Sequence, residues 1–325
     1  MAKLRKKDIE HFYRNYKLIG KAEKRIHAFT GTLSCRFCGK SSPEVIFKND
    51  AHLVPELMGK NDFLYSEECD SCNSLFSKYE SHLAIYLRPY LTMLGVKGKK
   101  KVPFFQSRSA ADHTNGRTII TTGANNQKNI VLGSLDDYKI DHEKKVATFT
   151  FRNPPYIPLN VYKAFVKIGL SLLPNEKVAK YQNLCHWISD RPHGRLDYFP
   201  ITIKTMMTES QFVEPRVELS ESSRTIKENG FIPNLTLHLC FGNLIFQVYL
   251  PLAKRFNYHR LIVKKPIYIL SHHIFQGIGD KETSRVVKAV QLGKSEPVQR
   301  DEQINFSFTS GDFNIGESQT SNPAK

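Results

Sequence analysis

Four cysteines in the first quarter of the chain form two pairs with the spacing of metal ligands. The pairs are Cys35-Arg-Phe-Cys38 and Cys69-Asp-Ser-Cys72. Each CxxC turn presents two sulfurs to one ion, and two such turns can together supply four thiolates to one tetrahedral zinc. The pattern therefore predicts a structural zinc held by all four cysteines. The alternative is two buried or redox-active thiol pairs.

Two further polar residues stand close to the cysteine pairs in the sequence. His52 lies between the pairs, in the stretch AHLVPE, and Asn73 directly follows the last cysteine. The stretch before His52 (VIFKND) is rich in strand-forming residues, whereas the stretch from Asn73 (NSLFSKYESHLAIYL) carries apolar residues at helical spacing. We therefore expect a strand that ends near His52 and a helix that begins near Asn73.

The order of these features resembles the HNH endonuclease family in its cysteine-containing form. The segments AHLVPE and ECDSCNSLF are similar to a prokaryotic subgroup with AHxxPE and CxxCN motifs. The resemblance covers residues 31 to 88 and does not extend to residues 100 to 325. It implies a small zinc-stapled ββα-metal module that hydrolyses phosphodiester bonds in DNA.

The resemblance also implies a role for each polar residue. His52 would be the general base that takes a proton from water, a task that suits imidazole near neutral pH. A catalytic Mg²⁺ or Mn²⁺ ion would contact the scissile phosphate through oxygen ligands, one of them supplied by Asn73. The zinc would only hold strand and helix together, so that His52 and Asn73 face one phosphate. Taken singly, His52 could be an ordinary histidine, and Asn73 could be a helix N-cap.

Ala51 departs from the family pattern, in which an Asp or Glu directly before the base binds the metal. Asp50 and Glu56 are the candidates for the missing carboxylate ligand. Side chains alternate across a strand, so Asp50 could replace residue 51 only through a bulge. Glu80 and His82 on the following helix are further candidates. Because of this departure, an inactive domain that has lost its metal site remains an alternative.

The charge of the chain points to a polyanionic partner. The sequence has 47 Lys and Arg against 31 Asp and Glu, which gives a net charge of +16. Such a surface attracts nucleic acid, and double-stranded DNA is the partner we expect. The chain has neither a long apolar run nor an apolar segment behind its basic N-terminus, which favours a cytoplasmic protein without a membrane span. A reducing compartment in turn favours metal-bound thiolates over disulfides.

The sequence predicts an α+β protein in which the small zinc-stapled module precedes a larger mixed domain. In the larger part we expect a helix from Pro158 to Leu173, a second helix from Glu176 to Ile188, and a hairpin turn at residues 241–243. The predicted divisions are an N-terminal helical arm at 1–30, the HNH module at 31–96, an α+β domain at 102–295 and a mobile tail at 296–325.

These features together predict a metal-dependent DNA endonuclease. By analogy with prokaryotic proteins that join an HNH module to a specificity or sensing domain, we expect a role in restriction or anti-phage defence. One alternative is a zinc-ribbon-like protein that binds nucleic acid without cleaving it. Another is a nuclease that acts only when its C-terminal domain senses a partner protein or a small-molecule activator. Whether the chain forms a homo-oligomer is left open.

Overall fold

A computed structural model describes the chain over eight stretches, which are residues 14–24, 33–108, 117–123, 127–194, 200–207, 212–222, 234–251 and 285–307. The protein is mixed α+β and divides into two compact units. The first unit comprises Met1–Ala84, Val96–Lys101 and Ile157–Pro297. The second comprises Ile85–Gly95, Val102–Tyr156 and Val298–Lys325.

A six-stranded antiparallel sheet forms the core of the first unit. Its strand order is β1-β10-β11-β12-β9-β13, and the bounds are β1 Tyr16–Lys21, β9 Ile201–Met207, β10 Phe212–Ser222, β11 Leu235–Gly242, β12 Leu244–Tyr249 and β13 Arg285–Gln291. Strands β11 and β12 are buried along their whole length. They form the predicted hairpin, with Gly242 at φ 50° beside the turn.

Strand β1 stands at residues 16–21, where the predicted N-terminal helical arm (1–30) expected a helix. Tyr16–Lys21 pairs with β10, and Tyr16 is buried while its neighbours Lys17 and Leu18 are exposed. Residues 1–13 and 25–32 lie outside the described residues. Gly20 allows a close approach, since a Cβ atom there would lie 2.1 Å from the carbonyl oxygen of Leu172.

Three helices follow one another in the first unit, and the first packs against the sheet. Their bounds are α2 Pro158–Ser171, α3 Asn175–Val178 and α4 Gln182–Ile188. Helix α2 confirms the prediction for residues 158–173 and begins with Pro158 in its first turn. Phe165 packs on Phe246 of β12, and Gly169 faces the Leu250 side chain. The second predicted helix is interrupted, because a 3₁₀ turn at Ala179–Tyr181 separates α3 from α4.

Glu221 at the end of β10 ties this helical region to the sheet. Its carboxylate accepts hydrogen bonds from Lys177 Nζ at 2.6 Å, Lys180 Nζ at 2.7 Å and the Tyr181 hydroxyl at 2.9 Å. Burial tends to raise the pKa of Glu221, but these donors outweigh it and lower the pKa to about 2.

The second unit contains another antiparallel sheet, of order β14-β8-β4-β5-β6, with β7 paired to β8. The bounds are β4 Phe105–Arg108, β5 Arg117–Thr122, β6 Lys128–Val131, β7 Tyr138–Asp141, β8 Val146–Arg152 and β14 Asp301–Ser307. Strand β14 corrects the mobile tail predicted for 296–325, because residues 301–307 pair with β8 along their whole length. Residues 308–325 lie outside the described part of the chain.

The division into units also differs from the domains predicted at 31–96 and 102–295. Residues 102–156 belong to the second unit, whereas 157–297 belong to the first, together with the cysteine-bearing segment. The helix predicted from Asn73 is longer than expected. This helix, α1, runs over Asp70–Leu94 with Pro89 inside it. Its residues up to Ala84 belong to the first unit, and those from Ile85 onward belong to the second. Among the described residues, no helix is long and apolar enough to cross a membrane.

Candidate metal centre and the adjoining histidine site

The four paired cysteines converge on one point, as their spacing predicts. Their sulfur atoms all lie within 4.8 Å of one another, and all four residues are buried. The Cys38 and Cys69 sulfurs are 3.9 Å apart. Zinc–sulfur bonds of about 2.3 Å in a tetrahedron require sulfur–sulfur distances of about 3.8 Å. The cluster is therefore compatible with a structural zinc ion.

The first cysteine pair sits in a tight turn that aims its sulfurs inward. The Gly39 N–H donates to the Cys35 carbonyl at 2.7 Å, and Gly39 has a φ of 70°, which glycine adopts without strain. A hydrogen bond from the Cys72 thiol lowers the pKa of Cys35 to about 5, whereas burial raises the pKa of Cys38 to about 11. One sulfur of the cluster thus readily takes the thiolate form that binds metal.

Arg36, between the first two cysteines, joins the turn to the end of helix α2. Its guanidinium is buried and donates to the carbonyls of Leu170 and Leu173. It also donates to the Asn175 side chain at 2.6 Å and to the Glu67 carboxylate at 2.7 and 3.0 Å. A cation that caps the C-terminal carbonyls of a helix is favourable, so Arg36 fixes the cysteine cluster against α2.

His52 lies on one of two short antiparallel strands that precede helix α1. These strands are β2 Ala51–His52 and β3 Leu64–Tyr65, with His52 opposite Leu64. The strand predicted for VIFKND is absent, because the backbone there turns to α1 instead. The N–H groups of Lys48 and Asn49 each donate to the Asp70 carboxylate at 3.1 Å, which anchors the chain before β2 to the start of the helix.

The imidazole of His52 is partly exposed and has a carboxylate beside it. Glu56 Oε2 lies 3.7 Å from Nε2, longer than a direct hydrogen bond. The same oxygen lies 3.4 Å from the ammonium of Lys99. His52 Nδ1 is buried and has no hydrogen-bond partner within the described residues. The solvent-exposed part of the ring therefore does not include Nδ1.

Lys167 of helix α2 lies directly behind His52. Its side chain is 2% exposed, and its ammonium donates to the His52 carbonyl at 2.6 Å. Glu68 is 3.1 Å and Glu80 is 3.8 Å from the same ammonium. Burial raises the pKa of Glu68 to about 7, although Lys167 opposes the rise. Burial also raises the pKa of Glu80, against the opposing effects of Lys167 and His52.

The other predicted residues fall in different places around this site. Asn73 is in the first turn of α1, where its N–H donates to the Cys69 carbonyl at 2.9 Å. Glu80 comes seven residues later, so both side chains lie on one helix face, about 10 Å apart along the axis. Asp50 is exposed, and Ala51 is buried on the opposite side of the strand from His52. His82 points elsewhere, because its Nδ1 accepts the N–H of Ile157.

The main residue that sequence reasoning missed is Lys167. Lys163 and Lys167 interrupt an apolar helical pattern, and such charges usually mark a solvated face. Both side chains are instead buried, Lys163 in an ion pair with Asp190 at 2.7 Å. Their spacing of one helical turn inside an otherwise apolar stretch was the signal available in the sequence.

Comparison of the chain with protein-family models, with curated proteins and with solved structures gave no match.

Proposed function

We propose that this protein is a metal-dependent DNA endonuclease of the HNH type, with His52 as the general base. The observation that carries the proposal is the surroundings of His52. Two short antiparallel strands bearing His52 lead into a helix whose first turns supply Cys72 and Asn73, and the Glu56 carboxylate lies 3.7 Å from the imidazole. The cysteine cluster at the base of these elements supports their rigid placement.

In the proposed reaction the imidazole takes a proton from a water that attacks the phosphodiester. Nε2 is the nitrogen suited to this step, because Nδ1 is buried. Glu56 beside Nε2 would stabilise the imidazolium that forms. A bound Mg²⁺ or Mn²⁺ would supply charge neutralisation at the phosphate, with Asn73, Glu56 and Asp50 as its candidate oxygen ligands.

A direct test is cleavage of supercoiled plasmid DNA in the presence of Mg²⁺ or Mn²⁺. Wild type is compared with His52→Ala and with His193→Ala, a matched control because His193 is exposed. We expect wild type and the control to cleave and His52→Ala to lose at least about 100-fold in rate, as for removal of a general base. Cleavage that survives in His52→Ala would overturn the assignment of the base.

The second candidate function is binding of nucleic acid without cleavage. It is favoured by Ala51, which leaves a buried methyl group where the family has a metal ligand, and by the cation of Lys99 beside Glu56. Binding of a DNA duplex with no cleavage under either metal would support this candidate. Cleavage that appears only after a nucleotide or partner protein is added would instead support a triggered nuclease.

A further inference from the structure

We infer that Lys167 is a positioning residue for His52, and that helix α2 is an integral part of the histidine site. The catalytic consequence rests on the proposed function, whereas the geometric part does not. The sequence predicts that the cysteine-bearing module and helix α2 lie in separate domains, but in the structure the two belong to one compact unit.

The contacts of Lys167 assign it an indirect role. At 2% exposure its ammonium is inaccessible to a DNA phosphate. It donates a hydrogen bond to the His52 carbonyl and forms ion pairs with the carboxylates of Glu68 and Glu80. Lys167 therefore acts on His52 through the backbone of the strand that carries it.

The two faces of α2 show what sets the position of this ammonium. Tyr162, Phe165 and Gly169 recur at helical spacing on the face toward β12 and the residues that follow it. Lys167 lies two residues from Phe165, about 200° around the helix, and so points away from the sheet. The sheet thus fixes α2 on one face, and α2 fixes the His52 strand from the other.

The His52 strand needs such an external contact because it is so short. Strands β2 and β3 have two residues each, and an isolated pair of this size is not stable by itself. The bond from Lys167 holds the carbonyl of His52 itself. Loss of that bond would let the imidazole drift, and a misplacement of about 1 Å in an active site costs about 100-fold in rate.

The test compares Lys167→Met with Lys163→Met in the full-length, zinc-loaded protein. Lys163 is a matched control, because it is one turn away on the same helix, is also buried in an ion pair and does not contact His52. The readouts are kcat and KM for plasmid cleavage and hydrogen–deuterium exchange of the peptide covering residues 51–54.

For Lys167→Met we expect kcat to fall about 100-fold, KM to change less than about threefold, and exchange at 51–54 to become faster. Lys163→Met should match wild type in all three. Wild-type kcat in Lys167→Met, or an equal loss of kcat in Lys163→Met, would overturn the inference.

Two further arms keep the result interpretable. Zinc content and thermal unfolding show whether Lys167→Met folds. If it does not, the double variant Lys167→Met, Glu68→Gln is tested instead, because it removes the buried carboxylate that the single variant leaves uncompensated. If no form of the protein cleaves DNA, the proposed function fails and the exchange measurement decides. Faster exchange at 51–54 only in the Lys167 variant supports the positioning role, and unchanged exchange refutes it.

Discussion

Replacement of Arg36 by methionine should destabilise the first unit more than any loss of a surface charge. The Arg36 guanidinium is 4% exposed, yet it donates to the carbonyls of Leu170 and Leu173 and to the side chains of Asn175 and Glu67. Methionine fills a similar volume and makes none of these bonds. Arg36→Met therefore removes the guanidinium donor from the Leu173 carbonyl and the Asn175 side chain. It also takes the cation from Glu67, although the Glu67 carboxylate keeps the Tyr65 hydroxyl and the Leu170 carbonyl keeps the N–H of Leu173.

The size of the effect follows from these partners. Each buried acceptor that loses its donor costs about 1–3 kcal/mol, and breaking a buried ion pair by removing one member costs about 3–5 kcal/mol. Because Glu67 is partly exposed and can recover solvation, we expect a loss near the lower end, about 3 kcal/mol. With a urea m-value of about 2 kcal/mol/M, the unfolding midpoint should fall by about 1.5 M.

The assay is urea unfolding followed by fluorescence of Trp187. This is the single tryptophan of the chain, and it is buried in helix α4 of the first unit, so its signal reports that unit. Lys24→Met is the control, because its ion pair with Asp62 at 3.7 Å is exposed on both sides and should be worth less than about 1 kcal/mol. A midpoint shift for Arg36→Met no larger than the control's would refute the reasoning.

Three further outcomes are expected. Replacing zinc by Co²⁺ should give a thiolate-to-cobalt absorption band that Cys69→Ser weakens, and chelation should lower the unfolding midpoint; a protein unchanged by chelation would contradict a structural zinc. Gly20→Ala should destabilise by about 3 kcal/mol or more in the same fluorescence assay, because its Cβ would meet the Leu172 carbonyl at 2.1 Å. The lowered pKa of Glu221 contributes stability that is present above its ordinary pKa near 4.5 and is lost as the pH falls toward 2. The free energy of unfolding, followed by Trp187 fluorescence, should therefore depend less on pH in this range in Glu221→Gln than in wild type. An equal slope in the two proteins would contradict this expectation.

Local sequence patterns predicted several elements correctly. Apolar residues at helical spacing with a proline at the start predicted α2, and a short glycine-containing turn between apolar runs predicted the β11–β12 hairpin. Each depends on contacts between neighbouring residues, for which the chain itself sets the geometry. Prediction failed for Tyr16–Lys21 and for Asp301–Ser307. Both are strands that pair with partners more than one hundred residues away, and no local period reveals such a partner.

The sequence by itself determined the cysteine cluster, because two CxxC turns can bring four sulfurs together with little choice of partner. It also singled out His52, Asn73 and Glu56 as the polar residues around that cluster. Only the tertiary structure brought Lys167 from helix α2 behind His52 and placed the Glu80 carboxylate 3.8 Å from the same ammonium. The physical reason is that helical spacing can show which face a lysine occupies, but its buried partners come from distant parts of the chain, and only long-range packing brings them together.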